Sequence, residues 1–384
     1  MLIGLIISFL LCFSKIFSIS YFYNLLFVPF LGYLFLSKES IYFISKKISF
    51  YSLIFLLFFF FFNFILSDIK ESILFLLLRS ISISTFVLSI FGLLPFNRNI
   101  IKFFIWPVIF SIPAIFFIFQ PPVIYRFSAS NEFISTPGLF NSFSLAGLFP
   151  TSAYFAITLL SILLYYSFYK EKIKEYIFFI KSKNFNIFVS LILILFTNRK
   201  AYFFGLIFSP INNFFILLKN IIIERKIYSK SISYLISLLI VLLILFLLIF
   251  NGVGGGGYGF NAIFNQIMSR LYLYYEVAVE PEMYSFNETA MQKINFLGGY
   301  ISFYAMYVFL AFSLLLSVLN LSFPKISIFL ISYFYIFQFL FKEPQTILSP
   351  SPSSLFLFMM ISYLINILQK HNAFKKTNQN GILK

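Results

Sequence analysis

The sequence predicts an all-α polytopic membrane protein, and three observations predict it. Of 384 residues, 61% are hydrophobic and only 10% are charged, whereas a globular domain is nearer a quarter charged. Repeated apolar runs such as Ile48 to Leu66 and Ser231 to Phe250 reach the roughly 20 residues that cross a bilayer. These runs are apolar on every face, whereas the strands of a membrane barrel would alternate apolar and polar over segments of about ten residues. The expectation is about twelve spanning helices in a single transmembrane domain over 1–384, with one large external loop.

In chain order, the first helix is expected near 1–18. It has neither a basic start nor a small-residue cleavage site, so it reads as a retained span and not a removed signal peptide. Helices follow near 19–36, 48–66 and 73–95, the last with Arg79 about two turns inside its outer end. After a helix near 101–119, the first external loop occupies 120–137 and contains Arg126. A span near 139–169 leads to the basic inner connection Lys170 to Lys183, and spans near 184–197 and 201–218 meet at the tight turn Thr197-Asn198-Arg199-Lys200. A span near 231–250 opens into the large external loop, 251–296. Spans near 297–318, 325–341 and 354–368 then lead to a cytoplasmic tail, 369–384.

The net charge of +16 would point to nucleic acid in a soluble protein. On this path, however, the inner connections and the tail hold most of the 28 Lys and Arg, and the outer loops hold most of the 12 Asp and Glu. That is the positive-inside pattern with both termini cytoplasmic, so the charge reports topology and nucleic acid is excluded as a partner. No cytoplasmic stretch is long enough for a nucleotide-binding domain, which argues against an ATP-driven transporter. The sole cysteine, Cys12, lies in the first apolar run and the sole histidine, His371, in the tail. With no cysteine or histidine cluster, no metal or other cofactor is expected.

The large loop begins with a glycine cluster from Gly252 to Gly259 that lacks the Lys-Ser/Thr ending of a phosphate-binding loop and reads as a hinge. Asn261 is a fair cap for a helix reaching Glu280. At about 100° per residue, Ile263, Phe264, Ile267, Met268, Leu271, Tyr275 and Ala278 share one face. Asn265, Gln266, Ser269, Arg270, Glu276 and Glu280 share the other. This segment is expected to be an amphipathic helix lying on the outer leaflet, its polar face presenting Arg270 and two carboxylates.

Charged groups at membrane depth cost roughly 2.5 to 3.5 kcal/mol or more, so four arginines that can face the outer leaflet stand out: Arg79, Arg126, Arg199 beside Lys200, and Arg270. The planar guanidinium donates paired hydrogen bonds and stays charged, which suits it to phosphate. The bland readings are that Arg126 and Arg270 snorkel to headgroup level and that Arg79 pairs with Asp68 or Glu71. Two outward cations on a minimal turn run against the positive-inside bias, which favours function for Arg199 and Lys200. The external carboxylates are Asp68, Glu71, Glu132, Glu276, Glu280, Glu282, Glu288 and Glu343, and nothing in the sequence chooses among them.

Three features resemble the O-antigen polymerase and ligase superfamily. They are Arg126 followed by Ser135-Thr136-Pro137-Gly138-Leu139-Phe140-Asn141-Ser142-Phe143 entering a span, the Thr197-Asn198-Arg199-Lys200-Ala201 turn, and the late external loop containing Arg270. The turn resembles the Ser-Arg-Gly or Ser-Arg-Lys turn of that superfamily, with Asn198 in place of serine. Its ligases rely on a histidine in the large external loop, and this loop has none, which favours polymerase over ligase.

The resemblance implies a GT-C-like helical fold in the bacterial inner membrane and an inverting, metal-independent glycosyltransferase. An undecaprenyl-diphosphate-linked oligosaccharide would be transferred to the non-reducing end of another lipid-linked repeat unit at the outer face. It also implies that Arg126, Arg199 and Arg270 clamp the departing diphosphate; the acceptor hydroxyl would then need an external carboxylate as base, with Glu276 the first choice. A chain-length regulator and a flippase would be its protein partners. Competing readings are a flippase for the same lipid-linked oligosaccharide, a membrane O-acyltransferase and a structural membrane partner.

Overall fold

A computed structural model describes residues 2–16, 21–37, 46–67, 72–112, 147–169, 182–197, 289–321, 325–341 and 344–369. Among these residues the chain is all-α. The helices are α1 (Leu2–Ile16), α2 (Tyr21–Leu25), α3 (Phe27–Leu36), α4 (Lys46–Leu66), α5 (Ile73–Ile90), α6 (Ile101–Ser111) and α7 (Ser152–Phe168). They continue with α8 (Lys183–Phe196), α9 (Ala290–Leu319), α10 (Ile326–Phe341), α11 (Pro344–Leu348) and α12 (Pro352–Gln369). Four stretches are long and apolar enough to cross a membrane: Lys47–Leu66, Ile73–Ile90, Ala290–Leu319 and Pro352–Gln369. Tyr23–Leu36, Ser152–Phe168, Lys183–Ile194 and Ile326–Leu340 are apolar but shorter.

Several helix limits differ from those expected from hydropathy, and local chemistry explains them. The helix expected over 139–169 begins at Ser152, where the Thr151 hydroxyl caps it by accepting from the Tyr154 N–H at 3.4 Å. The helix expected from 297 already begins at Ala290, inside the stretch assigned to the large loop. There Thr289 and Gln292 form a reciprocal capping box, with bonds of 3.0 and 3.1 Å. The run expected over 73–95 ends at Ile90, because Gly92 turns the chain with φ 68°. The span expected over 19–36 is two pieces joined at Leu26. The spans expected at 201–218 and 231–250, and the second half of 101–119, lie outside the described residues.

The centre of the bundle is α7 and α12. Every residue from Ser152 to Tyr166 is buried, as is every residue from Pro352 to Ile365. α12 packs on α7, α5, α10 and α3. Lipid tails are as apolar as leucine, so close packing and interhelical hydrogen bonds hold such a bundle together. Phe104 stacks on Phe356 at 5.2 Å, Phe86 meets Phe358 edge-on at 5.4 Å, and Phe96 sits against Tyr363 at 4.6 Å. On the outside, Tyr51, Phe55, Phe58 and Phe62 of α4 and Ile301, Tyr304, Val308, Phe312 and Leu315 of α9 are exposed at helical spacing. Since α4 packs on α9, the two stripes belong to one apolar flank suited to lipid.

A break at Gly299 (φ 63°, ψ −171°) interrupts α9. It disrupts the helical ladder around Leu297, whose carbonyl accepts instead from the Ser67 hydroxyl at the end of α4, at 2.6 Å. A side chain at the neighbouring Gly298 would lie 2.8 Å from the Phe64 ring and closer still to the Ser302 hydroxyl. Gly298→Ala is therefore expected to destabilise the purified protein by about 1 to 3 kcal/mol through overpacking. A melting midpoint equal to wild type would show that the α4–α9 junction yields freely.

Interhelical contacts sort the helix ends into two opposed sets. One set joins Ser37 to Asn97 (2.8 Å), Asn366 to Gly92, the Ser313 hydroxyl to the Ile90 carbonyl, and Lys325 to the Leu368 carbonyl (3.0 Å). The other joins Tyr23 to Ser353, Ser67 to Leu297, and Ser111 to Leu148. The start of α1 belongs with the first set, because Gly4 packs on the Lys102 carbonyl at the start of α6. The described chain therefore begins and ends on the same side of the bundle.

Candidate functional site

Arg126, Arg199, Arg270 and Glu276 lie outside the described residues, as do Lys200, His371 and every candidate carboxylate from Asp68 to Glu343. What the structure describes is the framework from which their segments depart. The segment holding Arg126 leaves α6 after Ile112 and returns at Gly147. Its two ends are tied together: the Ser111 hydroxyl donates to the Pro107 carbonyl at 2.6 Å and accepts the Leu148 N–H at 3.0 Å. Gly147, with φ 56°, lies so close that a Cβ there would collide with the side chain of Ser111. Any larger residue at position 147 would have to push the two ends apart.

The turn holding Arg199 follows Thr197, which closes α8. The buried Thr197 hydroxyl donates to the Ile194 carbonyl at 2.6 Å, and its N–H is shared between the Leu193 and Ile194 carbonyls. The segment holding Arg270 and Glu276 rejoins the bundle at the Thr289–Gln292 capping box. Arg79, the fourth candidate arginine, lies on α5 and is half-buried.

Within the bundle the polar side chains fall into two groups. In the first, all are paired. Ser353 sits between the Tyr23 hydroxyl and the Thr158 hydroxyl, the latter at 2.7 Å, and Thr158 also donates to the Tyr154 carbonyl at 2.9 Å. Ser351 caps α12 by accepting the Ser354 N–H at 3.0 Å, ahead of Pro352 at the first helical position. Ser8, Ser80, Thr85, Ser161 and Ser332 each donate to the carbonyl four residues back, at 2.7 to 2.8 Å. That is how a hydroxyl is satisfied inside an apolar bundle.

In the second group, buried polar atoms have no hydrogen-bond partner. Among the described residues they include the hydroxyls of Ser82, Ser84, Ser190, Ser302 and Thr346, the amide nitrogens of Gln292 and Gln369, the Asn295 amide oxygen, and both amide atoms of Gln338. A buried group left unpaired costs about 1 to 3 kcal/mol, so each of these atoms lowers the stability of the bundle where it stands. The chain matches no known family model, no curated protein and no solved structure.

Sequence reasoning singled out charged residues and passed over Gln338 and Thr346. The available signal was an amide inside the otherwise apolar run Ile326–Phe341. Among the described residues no group of three or more His, Cys, Asp or Glu is placed to hold a metal ion.

Proposed function

We propose that the chain is a bacterial inner-membrane polymerase that joins undecaprenyl-diphosphate-linked oligosaccharide repeat units into a surface polysaccharide at the outer face of the membrane. The proposal includes about twelve spans with both termini cytoplasmic. The distribution of cations over the described helix ends supports that orientation. Lys46, Lys47, Arg98, Lys102 and Lys325 belong to the set of ends that includes the start of α1 and the end of α12, and Lys15 and Lys293 to the other.

One observation carries the reading. The segment bearing Arg126 and the segment bearing Arg270 rejoin the bundle at the same cation-poor set of ends, at Gly147 beside Ser111 and at Thr289 beyond the Ser67–Leu297 junction. Two guanidinium-bearing segments with a common exit can serve one anionic group there.

In the proposed reaction an acceptor sugar hydroxyl attacks the anomeric carbon of the donor from the face opposite the diphosphate. The new glycosidic C–O bond forms as the bond to the diphosphate oxygen breaks, with inversion, and the hydroxyl proton passes to Glu276. The electron pair leaves on the undecaprenyl diphosphate. A diphosphate is already a good leaving group, so stabilising its developing charge matters more than protonating it, and Arg126, Arg199 and Arg270 are assigned that role. The carboxylate contributes once it comes within hydrogen-bond reach of the attacking hydroxyl. Holding two lipid-tethered substrates in register supplies much of the remaining acceleration.

The close-packed α7–α12 centre suits an enzyme working on one face better than a carrier with a polar central passage. Deleting the gene and resolving the surface polysaccharide on a gel tests the proposal. A polymerase mutant retains a single repeat unit, a flippase mutant shows none, and a ligase mutant leaves finished polymer unattached. Only the first outcome sustains the reading.

A further inference from the structure

The chain between α5 and α6 climbs back into the bundle along α12. The Gly92 carbonyl accepts from the Asn366 amide, the Leu94 carbonyl accepts from the Ser362 hydroxyl at 2.7 Å, and the Asn97 N–H meets the Met359 sulfur at 3.3 Å. α12 continues past Met359 to Gln369, about 15 Å further. The start of α6 is therefore recessed from the end of α12. The end of α3 is recessed with it, because Ser37 bonds the Asn97 side chain at 2.8 Å, and Gly4 near the start of α1 packs on the Lys102 carbonyl.

Lys102 stands in the first turn of α6, on this step, and it is exposed. Its ammonium donates to the Asn99 side-chain oxygen at 2.5 Å. The lysine therefore bends back toward the end of the bundle, not along the helix into its apolar length. Such bending is how a long cationic side chain set at membrane depth reaches the headgroups. Arg98, half-buried and one turn before Lys102, adds a second positive charge at the same step.

Beyond Lys102 the same face of α6 carries Trp106 and Phe110 at successive fourth positions, and their rings stack at 5.5 Å. Phe110 is exposed and Trp106 half-buried, with Gly4 of α1 so close to the indole that a side chain there would lie 3.1 Å from Trp106 Cδ1. α1 itself exposes Leu5, Ile6 and Phe9. One face therefore offers, in order, a cation, a tryptophan of the kind found between headgroups and acyl chains, and a phenylalanine for the chain itself. The wholly apolar flank of α4 and α9 suits any lipid. A cation at the head of an apolar track selects a negative headgroup.

We propose that the face of α6 formed by Lys102, Trp106 and Phe110, with Arg98 at its end, holds an anionic glycerophospholipid, its phosphate on the cations and one acyl chain along the two rings. A phosphate oxygen accepts charge-assisted hydrogen bonds from ammonium and guanidinium alike. Drawn up to the step, it offsets the cost of holding positive charge deeper than the end of α12. The inference needs only a bundle that spans a bilayer, so it stands whether or not the chain is a polymerase.

The test uses the full chain reconstituted in phosphatidylcholine vesicles, with its one tryptophan, Trp106, as the reporter. At equal mole fraction, phosphatidylglycerol with brominated acyl chains is expected to quench Trp106 more strongly than brominated phosphatidylcholine does. Lys102→Gln is expected to lower the relative association of phosphatidylglycerol about fivefold, the preference that one basic residue confers near an anionic headgroup. Its quenching by phosphatidylcholine should match wild type, and Lys102→Arg should keep the preference. Lys47→Gln should keep it too, since Lys47 lies on α4, which packs on α5 and α9.

Equal quenching by the two lipids overturns the site, as does a Lys102→Gln protein that retains the wild-type preference. A Lys47→Gln protein that loses the preference to the same degree would trace it to overall charge and overturn it as well. So would altered phosphatidylcholine quenching in Lys102→Gln, which would assign Lys102 to helix packing, and quenching by neither lipid, which would mean that protein covers this face of α6. None of these results bears on the polymerase reading.

Discussion

Replacing Gly147 with alanine is expected to destabilise the protein by about 2 to 5 kcal/mol, the combined cost of a left-handed backbone and an overpacked junction. Two effects act at one atom. The backbone at Gly147 has φ 56°, which disfavours any L side chain, and the added Cβ would collide with the Ser111 Cβ and hydroxyl and lie 2.9 Å from its Cα. The first neighbour can be removed by mutation. The second is backbone, so relief requires α6 and the return of the chain to separate. Separation would break the Leu148 N–H bond to the Ser111 hydroxyl, and with it the clasp that closes the segment carrying Arg126.

The chain's one tryptophan reports on this locally. Trp106 lies on α6 and stacks on Phe110 at 5.5 Å, next to Ser111. Gly147→Ala should shift its emission and lower the melting midpoint of the purified protein. Adding Ser111→Gly should not restore wild-type stability, because it removes the colliding Cβ together with the hydroxyl that accepts the Leu148 N–H, and leaves the Cα in place. A Gly147→Ala protein with wild-type emission and midpoint would mean that the clasp does not hold the loop ends together.

The class of the fold is readable from the sequence because a bilayer demands long runs that are apolar on every face, and Lys47–Leu66 and Ile73–Ile90 are such runs. Helix ends are harder to read, since hydropathy does not mark where a helix is capped. Thr289 and Gln292 stand in the spacing of a capping box, but the polar residues around them made the stretch read as loop, and α9 starts there. The adjacent Gly298 and Gly299 signalled a break in an apolar run, although only the contact with Phe64 shows why a side chain is excluded at Gly298.

Polar residues in the core were the least legible. In sequence Ser80, Ser82 and Ser84 differ only in position. In the structure Ser80 donates to the carbonyl behind it and Ser82 and Ser84 do not, a difference that depends on the helices packed around α5 and leaves no mark in the sequence. The candidate arginines were legible as a residue type and as exceptions to the positive-inside pattern, since those signals need no coordinates. The proposed convergence of Arg126, Arg199 and Arg270 concerns segments 113–146 and 198–288, which lie outside the described residues.

Arg199→Ala is expected to collapse the polysaccharide ladder to a single repeat unit while the protein still accumulates in the membrane. Removing one preorganised donor from a developing anion typically lowers the rate by about 100- to 1,000-fold. A polymer built by repeated transfer would then seldom pass its first addition. The fold should tolerate the change. Thr197, the last described residue before this turn, is secured by its own bonds to the Leu193 and Ile194 carbonyls, and none of them involves position 199. Arg199→Lys separates charge from geometry: lysine retains the positive charge but loses the paired fork, so it should give short ladders and not a full one. Equal membrane abundance must be verified by blotting the same fractions. A full-length ladder from Arg199→Ala at wild-type abundance would remove Arg199 from the diphosphate clamp and leave Arg126 and Arg270 to carry it.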